Sequence, residues 1–274
     1  MEKRQMEQCT IWQPIDGIWL IQDERGSSSY LIPGRDKALL IDAGYGRGDL
    51  KKIVDSLTSL PVILVTTHNH GDHCLHAGQF SPRFMHPNDI AVQKEMEDTT
   101  GNRWPGIPSA DTFQPIRGGD VIDIGGLSFE VIEAFGHTPG SVMFLDRTHR
   151  ALFTGDAISS GGQLWMQVPY ALPLHKYVEN LEILCRRLDQ EGELTYLGGH
   201  YMQAGEPGSP NYNPVTRRTI DDIIALCRDI MAGKPLEMTP FQYGVGSAFE
   251  PLKEGEAMIA KRGGVTMVFR PDNV

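Results

Sequence analysis

Three histidines and an aspartate crowd into six consecutive residues of this chain, His68-Asn69-His70-Gly71-Asp72-His73. A chance H-x-H-x-D-H pattern is on the order of one in a thousand for a sequence like this one, so the run constrains the fold strongly. It directly follows the apolar residues 62–66, a pattern typical of a buried strand whose carboxyl end presents functional groups. Imidazole and carboxylate groups at this density indicate a metal site.

The spacing within this run divides the side chains between two metal positions. Side chains two residues apart in a tight loop point the same way, so His68 and His70 can share one ion. Asp72 and His73 then face a second ion. Two coordination spheres need further ligands, and three candidates stand next to glycine beside apolar runs: His137, Asp156 and His200. Glycine lets the backbone approach a crowded site, and a strand end fixes the geometry of a ligand.

The remaining histidines and all the cysteines lack such a context. Structural roles are therefore expected for four histidines: His76, His86, His149 and His175. The cysteines show no C-x-x-C spacing and are expected to be free thiols: Cys9, Cys74, Cys185 and Cys227. Cys74 lies beside the histidine run, but we assign it to packing rather than to metal binding.

Length and composition favour a single soluble domain spanning residues 1–274. Hydrophobic residues make up 40% and charged residues 22%, and no linker-like shift in composition divides the chain. There is no run of about 20 apolar residues and no apolar segment near the start, so a cytoplasmic protein without a membrane partner is expected. The net charge of −10 argues against a nucleic-acid partner. Association of the chain with its own copies is left open.

Periodicity predicts two clusters of strands with helices around them. The first cluster covers residues 17–22, 28–33 and 37–42, and it precedes a helix that begins near Asp49. The second cluster lies at 121–124, 127–132, 141–145 and 151–154. Two long amphipathic helices follow, one over residues 174–188 and one starting at Asn213-Pro214, and residues 254–270 predict returning strands. The expected fold is an α/β, αββα sandwich of two mixed sheets with helices on the outer faces.

Four motifs, in this order, resemble the metallo-β-lactamase superfamily. They are the H-x-H-x-D-H run, His137 in Gly-His-Thr-Pro-Gly-Ser, Asp156 in Thr-Gly-Asp and His200 after Gly-Gly. The resemblance covers about residues 18–200, and it implies the αββα fold, a dinuclear metal site and hydrolysis. It implies ligands for two ions: His68, His70 and His137 for the first, Asp72, His73 and His200 for the second, and Asp156 as the bridge. It also implies that Asp42 orients one histidine.

This resemblance gives an expected reaction. Two divalent ions lower the pKa of a bridging water and polarise a carbonyl, and Asp72 is the catalytic residue that orients the water. Two Zn²⁺ per chain are the default expectation, and because every implied ligand is nitrogen or oxygen, iron or manganese is also suited. The glyoxalase II and lactonase branch is the nearest match, so the predicted substrate is a small-molecule carboxylic thioester or ester, including a lactone. The alternatives are a β-lactamase-type amide hydrolase, a phosphodiesterase and a non-catalytic metal-binding sensor on the same fold.

Two segments are expected to contact the substrate or to anchor loops to the core. Residues 99–113 supply Arg103 and Trp104, and residues 161–170 supply Trp165, Met166 and Tyr170. If they overhang the metals, these side chains form an apolar wall suited to an acyl group. Three tyrosines are candidate hydrogen-bond donors to a substrate carbonyl: Tyr170, Tyr201 and Tyr212.

Overall fold

The largest sheet is built by the first part of the chain. The computed structural model describes residues 2–101, 106–160, 162–242 and 257–274, and within them the strands form three sheets. The first sheet has eight strands in chain order: β1 Arg4–Met6, β2 Cys9–Ile15, β3 Ile18–Gln22, β4 Ser28–Pro33, β5 Ala38–Ile41, β6 Val62–Val65, β7 Arg83–Met85 and β8 Gln114–Pro115. Strands β1 to β5 pair antiparallel, and β5 to β8 pair in parallel.

The other two sheets come from later residues, between Val121 and Phe269. The second has the order β14–β12–β11–β10–β9, with β9 Val121–Asp123, β10 Ser128–Glu133, β11 Val142–Asp146, β12 Ala151–Gly155 and β14 Thr195–Gly198. Only β12 and β14 are parallel in it. The third has the order β13–β17–β16–β15, with β13 Gln163–Met166, β15 Met238–Pro240, β16 Met258–Arg262 and β17 Val265–Phe269.

Helices connect the strands. The α-helices are α1 Leu50–Leu57, α2 Gly71–Cys74, α3 Pro87–Thr100, α4 Leu174–Leu188 and α5 Arg217–Met231. Short 3-10 helices cover Ala77–Gln79, Ala110–Thr112 and Tyr201–Ala204. Among the described residues, none of the helices has both the length and the apolar character needed to cross a membrane.

Alternating side chains place the core between the two larger sheets and on both outer faces. In β5, Leu39 and Ile41 join the cluster shared with Phe144 of β11, whereas Leu40 packs on the α1 side with Ile53. The opposite face of the second sheet packs against α4, α5 and the third sheet. Because period-two alternation buries both faces of the inner strands, the layers run helix, sheet, sheet, helix. The predicted αββα sandwich of mixed sheets is confirmed, and the C-terminal strands add the third sheet.

Several predicted elements need correction. The second long helix does not start at Asn213-Pro214, because Thr216 and Thr219 form the reciprocal cap that begins α5. The Asn213 side chain instead donates to the Gly264 carbonyl at 2.7 Å. Strand β13 occupies a stretch expected to be a loop. The sequence did not predict β1, β2 or α3, although Pro87 at the start of α3 is a recognised helix-initiation signal.

Candidate metal centre

The predicted ligands gather where strands from both larger sheets end. His68 follows β6, Asp156 directly follows β12, His200 follows β14, and His137 lies in the loop after β10. Strands β5 and β6 are parallel, as are β12 and β14, so the carboxyl ends of each pair meet at one edge. This topology brings together side chains that are far apart in sequence.

The first group consists of His68, His70 and His137, whose ligand atoms all lie within 4.8 Å of one another. His137 Nε2 is 2.9 Å from His70 Nδ1, and His137 Nδ1 donates to the Trp165 carbonyl at 2.7 Å. Since the donated hydrogen occupies Nδ1, Nε2 of a neutral His137 presents its lone pair to the other rings. Two imidazole nitrogens facing each other this closely require a proton or a cation between them.

The second group consists of Asp72, His73, Asp156 and His200. His200 Nε2 is 3.2 Å from Asp72 Oδ2 and 3.3 Å from Asp156 Oδ2. Asp156 Oδ2 is also 3.6 Å from His73 Nε2 and 3.9 Å from His137 Nε2 of the first group. The Asp156 carboxylate therefore lies between the two groups.

Asp42 holds the His73 ring in place from behind. Its backbone is in the left-handed region, with φ of 62°. Its carboxylate accepts from Thr67 N at 2.7 Å, from Thr67 Oγ1 at 2.8 Å and from His73 Nδ1 at 2.8 Å. These contacts turn His73 Nε2 toward the second group, so Asp42 orients one histidine as the resemblance implies.

The buried histidine nitrogens fit a metal. His68 Nε2 and His73 Nε2 are buried and have no hydrogen-bond partner among the described residues. An unpaired buried polar nitrogen is costly, and a cation that accepts its lone pair removes that cost. Gly199 keeps the cluster tight, because an added Cβ would lie 2.5 Å from Asp156 Oδ1 and 2.6 Å from His73 Cε1. With only imidazole and carboxylate donors, the set suits a divalent metal.

The two groups differ in charge. Burial lowers the pKa of His68 well below its ordinary value and lowers that of His70 to about 3, so both rings are neutral. In the second group burial opposes charge on His200, yet Asp156 and Asp72 raise its pKa to about 10. Although burial would raise it, the pKa of Asp156 is held well below its usual range by His200. An ion entering the second group must therefore displace protons, whereas the first group offers lone pairs directly.

The other histidines lie outside both groups and make local contacts. His76 Nε2 donates to the Gly46 carbonyl at 2.8 Å, and His175 Nδ1 donates to the Val274 carbonyl at 3.2 Å. His86 caps α3 and His149 pairs with Asp146. Cys74 donates to the His68 carbonyl at 3.3 Å and joins neither group. All four cysteines are buried free thiols.

The expected aromatic wall is only partly present at the site. Trp165 contacts His137 through its carbonyl, but Met166 is buried in the core and cannot line a substrate pocket, since β13 turns it inward. Tyr170 is exposed, and Tyr201 and Tyr212 line a cavity of about 190 Å³ with Ser160. Arg103 and Trp104 lie outside the described residues.

One buried carboxylate near the first group was not predicted. Asp89, in the first turn of α3, accepts hydrogen bonds from Asn69 and Thr138, the neighbours of predicted ligands. The available signal was Asp89 two residues after Pro87, because an acidic residue in the first turn after an N1 proline marks a helix start. That signal identifies a helix and does not reveal its partners.

Comparison with known proteins assigns these motifs to a family. A family profile described as the metallo-beta-lactamase superfamily matches residues 23–226. Acyl-coenzyme A thioesterase MBLAC2 of Gallus gallus is 27% identical over 222 residues, which cover 69% of this chain and 79% of that protein. Hydroxyacylglutathione hydrolase GloC of Haemophilus influenzae is 29% identical over 138 residues, which cover 46% of this chain and 63% of that protein.

Solved structures show the same architecture. A metallo-beta-lactamase from Pontibacter korlensis has a TM-score of 0.59 at 16% identity, covering 81% of this chain and 100% of that one. A metallo-beta-lactamase from Erythrobacter litoralis has a TM-score of 0.56 at 16% identity, covering 83% and 100%. At this level of identity the likeness concerns the fold.

Proposed function

Because the chain belongs to the metallo-beta-lactamase superfamily and is a metal-dependent hydrolase, we propose that it cleaves a carboxylic thioester or ester, including a lactone, of a small molecule. Among these bonds we favour the thioester. The observation that carries the proposal is the position of Asp156 between the two ligand groups, which supports a site for two ions that share one carboxylate.

In this proposal the ions are two Zn²⁺ held by the side chains gathered at the strand ends. The first would be held by His68, His70 and His137 and the second by Asp72, His73 and His200, and Asp156 would serve both. The donor set also suits iron or manganese. When bound, such a pair of ions supplies an activated water and a Lewis acid for the substrate carbonyl.

The chain's own residues orient the reactants. The Asp72 side chain is 29% exposed and that of Asp156 only 9%, so Asp72 is the carboxylate of the second group that solvent reaches more readily. There it orients a water and holds its proton at a carboxylate oxygen. Asp42 and the Trp165 carbonyl keep His73 and His137 from rotating.

Two arguments favour a thioester among the possible substrates. The two relatives are named for hydrolysis of acyl-coenzyme A and of hydroxyacylglutathione, both of which join an acyl group to a thiol. A thiol has a pKa of about 8.5 and leaves as the thiolate without a proton donor, whereas an amide nitrogen must be protonated to leave. A thioester therefore makes the smaller demand on this site, because its leaving group needs no proton.

The test compares kcat/KM of zinc-loaded protein over acyl-coenzyme A, hydroxyacylglutathione, lactone, phosphodiester and β-lactam substrates. We expect the thioesters to lead, and Asp72→Asn to lower their turnover by about 100-fold or more. His175→Gln, an exposed histidine outside both groups, is the matched control and should retain wild-type rates. A tenfold preference for the phosphodiester or the β-lactam, about 1.4 kcal/mol in barrier, would overturn the proposal.

A further inference from the structure

A buried aspartate links the two loops that carry the first ligand group. Asp89 lies in the first turn of α3 and is 0% exposed. Its position near the helix N-terminus favours a negative charge, because the unpaired backbone N–H groups and the helix dipole are positive there. A carboxylate with such complete burial is stable only where donors surround it.

The donors come from both ligand loops. Asp89 Oδ2 accepts from Asn69 N at 3.0 Å and from Thr138 Oγ1 at 2.8 Å. Asp89 Oδ1 accepts from Gly140 N at 2.7 Å. Asn69 stands between His68 and His70, and Thr138 follows His137. Each carboxylate oxygen thus accepts at least one hydrogen bond, and these three bonds reach loops that bear first-group histidines.

The loop of residues 137–141 packs closely against the Asp89 carboxylate. An added Cβ at Gly140 would lie 2.6 Å from both the backbone nitrogen and Oδ1 of Asp89, so only glycine allows the contact. Asn88 Nδ2 donates to the Pro139 carbonyl at 2.9 Å, and Ser141 Oγ lies 2.8 Å from Thr138 Oγ1. The start of α3 and the loop of residues 137–141 therefore form one rigid unit.

These contacts are confined to one side of the centre. Burial raises the pKa of Asp89 to about 6, even though the bonds from Thr138, Gly140 and Asn69 oppose that rise. The second group is held by a different carboxylate, Asp42, through His73. Asp42 thus bonds the His73 ring directly and reaches His68 only through Thr67, whereas Asp89 bonds residues next to the first-group histidines.

We infer that Asp89 is the positioning residue of the first metal site: by joining Asn69 to Thr138 and Gly140, it sets the distance between His68, His70 and His137. The inference rests on the proposed two-ion centre. Asp89 belongs to neither ligand group. It acts through the two loops, so its loss should weaken the first site and spare the second.

The experiment measures zinc binding rather than turnover. To measure one site at a time, zinc affinity of the first site is measured in a His200→Ala background, and that of the second site in a His70→Ala background. Each measurement is made with and without Asp89→Asn. One amide oxygen cannot replace both carboxylate oxygens, so either Gly140 N or the Asn69 and Thr138 donors lose their acceptor. We expect first-site affinity to fall about tenfold or more and second-site affinity to stay unchanged.

Two further comparisons separate positioning from general stability. Asp146→Asn removes an equally buried carboxylate that accepts from Thr148 N and His149 N in the turn after β11, and it should leave both affinities unchanged. Should Asp89→Asn fail to fold, Thr138→Val and Thr138→Ser form a second pair. The valine should weaken the first site, and the serine, which keeps the hydroxyl, should restore it. The absorption spectrum of the Co²⁺-loaded first site should change in Asp89→Asn and Thr138→Val alone.

The outcomes are distinct. Wild-type first-site affinity in a folded Asp89→Asn, equal weakening of both sites, or the same loss in Asp146→Asn would overturn the inference. A wild-type protein that binds two ions but hydrolyses no thioester or ester would overturn the proposed function and leave the role of Asp89 intact. A wild type without a first-site ion would overturn both.

Discussion

Asp156 differs from the other predicted ligands because its carboxylate reaches both groups. Its Oδ2 lies 3.3 Å from His200 Nε2 and 3.9 Å from His137 Nε2, whereas the His200 ring contacts the second-group carboxylates and the Gly26 carbonyl. A residue shared between two ions and a residue that serves one ion should respond differently to removal. This difference is visible without any assay of activity.

We predict that Asp156→Ala loses affinity for both ions together and that His200→Ala mainly empties the second site. Zinc content after dialysis at a buffered zinc concentration measures this, with about one ion retained by His200→Ala. His175→Ala serves as the control and should keep the wild-type content. Complete loss of both ions from both variants would contradict the assignment of Asp156 and His200.

The sequence could reveal the ligands but not all the residues that hold them. The histidine run is local, and His137, Asp156 and His200 each carry a glycine neighbour at the end of a strand. Asp89 has no such signal for its role, because its partners are backbone N–H groups 20 and 51 residues away and one threonine hydroxyl. Because nearly any residue can supply a backbone N–H, the sequence around such a donor gives no signal, and only the fold reveals this contact.

At the scale of elements, a cluster of charges fastens α4 to the second sheet. Glu191, just beyond α4, accepts from Arg147 at 2.7 Å and from Arg187 at 2.6 Å, and Glu130 of β10 accepts from the same two arginines. The side chain of Glu191 is 10% exposed. The bond from Arg147, assisted by Arg187 and opposed by burial, lowers the pKa of Glu191 to about 2.

We predict that the Glu191 carboxylate makes the free energy of unfolding depend on pH. A group whose pKa is lower in the folded chain stabilises the fold above its unfolded value of about 4.3 and loses that effect as the pH falls toward the folded value. Glu191→Gln should therefore be less stable than wild type at pH 7. The difference between the two unfolding free energies should narrow from about pH 4.3 downward. Urea unfolding of metal-free proteins between about pH 7 and 3 measures the gap.

The matched control is Glu179→Gln, which removes an exposed pair with Lys176 on the same helix. It should change the unfolding free energy little at any pH, since exposed pairs contribute about 0 to 1 kcal/mol. A gap for Glu191→Gln that is constant down to pH 3 would show that the carboxylate does not titrate as the structure indicates.

Elements bounded by clear turn or capping residues could be predicted from the sequence. Elements that depend on pairing with a distant strand could not. Strand Ser28–Pro33 has turn residues on both sides, and Asp49 caps α1 by accepting from Lys52 N at 3.1 Å. Helix α3 lacks a clear apolar stripe, so periodicity does not identify it. Strand β13 is defined by its parallel pairing with β17, about a hundred residues later in the chain, which no local pattern encodes.

At the scale of the whole molecule, the two larger sheets share one core. The Tyr30 ring from β4 packs at 5.1 Å against Phe153 of β12, and the Tyr30 hydroxyl donates to the Gly198 carbonyl at 2.6 Å. The Phe129 ring of β10 also packs against Phe153, with the ring centroids 6.3 Å apart. Neither sheet buries its inner face without the other, which supports our proposal that residues 1–274 form one domain.

We predict a single cooperative unfolding transition for the metal-free protein. Far-UV circular dichroism and tryptophan fluorescence should give coincident urea curves, although Trp12 and Trp19 lie in the first sheet, Trp165 lies in the third, and all elements contribute to the dichroism. Phe153→Ala should shift both curves together and lower the unfolding free energy by about 3–5 kcal/mol. Two separated transitions, or a shift in one signal alone, would show two independently folding units.

The order of the ligands along the chain sets when the metal centre can form during synthesis. The two groups draw on residues from His68 to His200, and the last of these follows a strand that pairs with β12. At roughly 10 residues per second, a ribosome needs on the order of ten seconds to pass from the histidine run to His200. Throughout that interval the nascent chain carries an incomplete centre. The second ligand group is thus completed late in synthesis, well after His137 has completed the first, and products cut short before residue 200 lack one of its members.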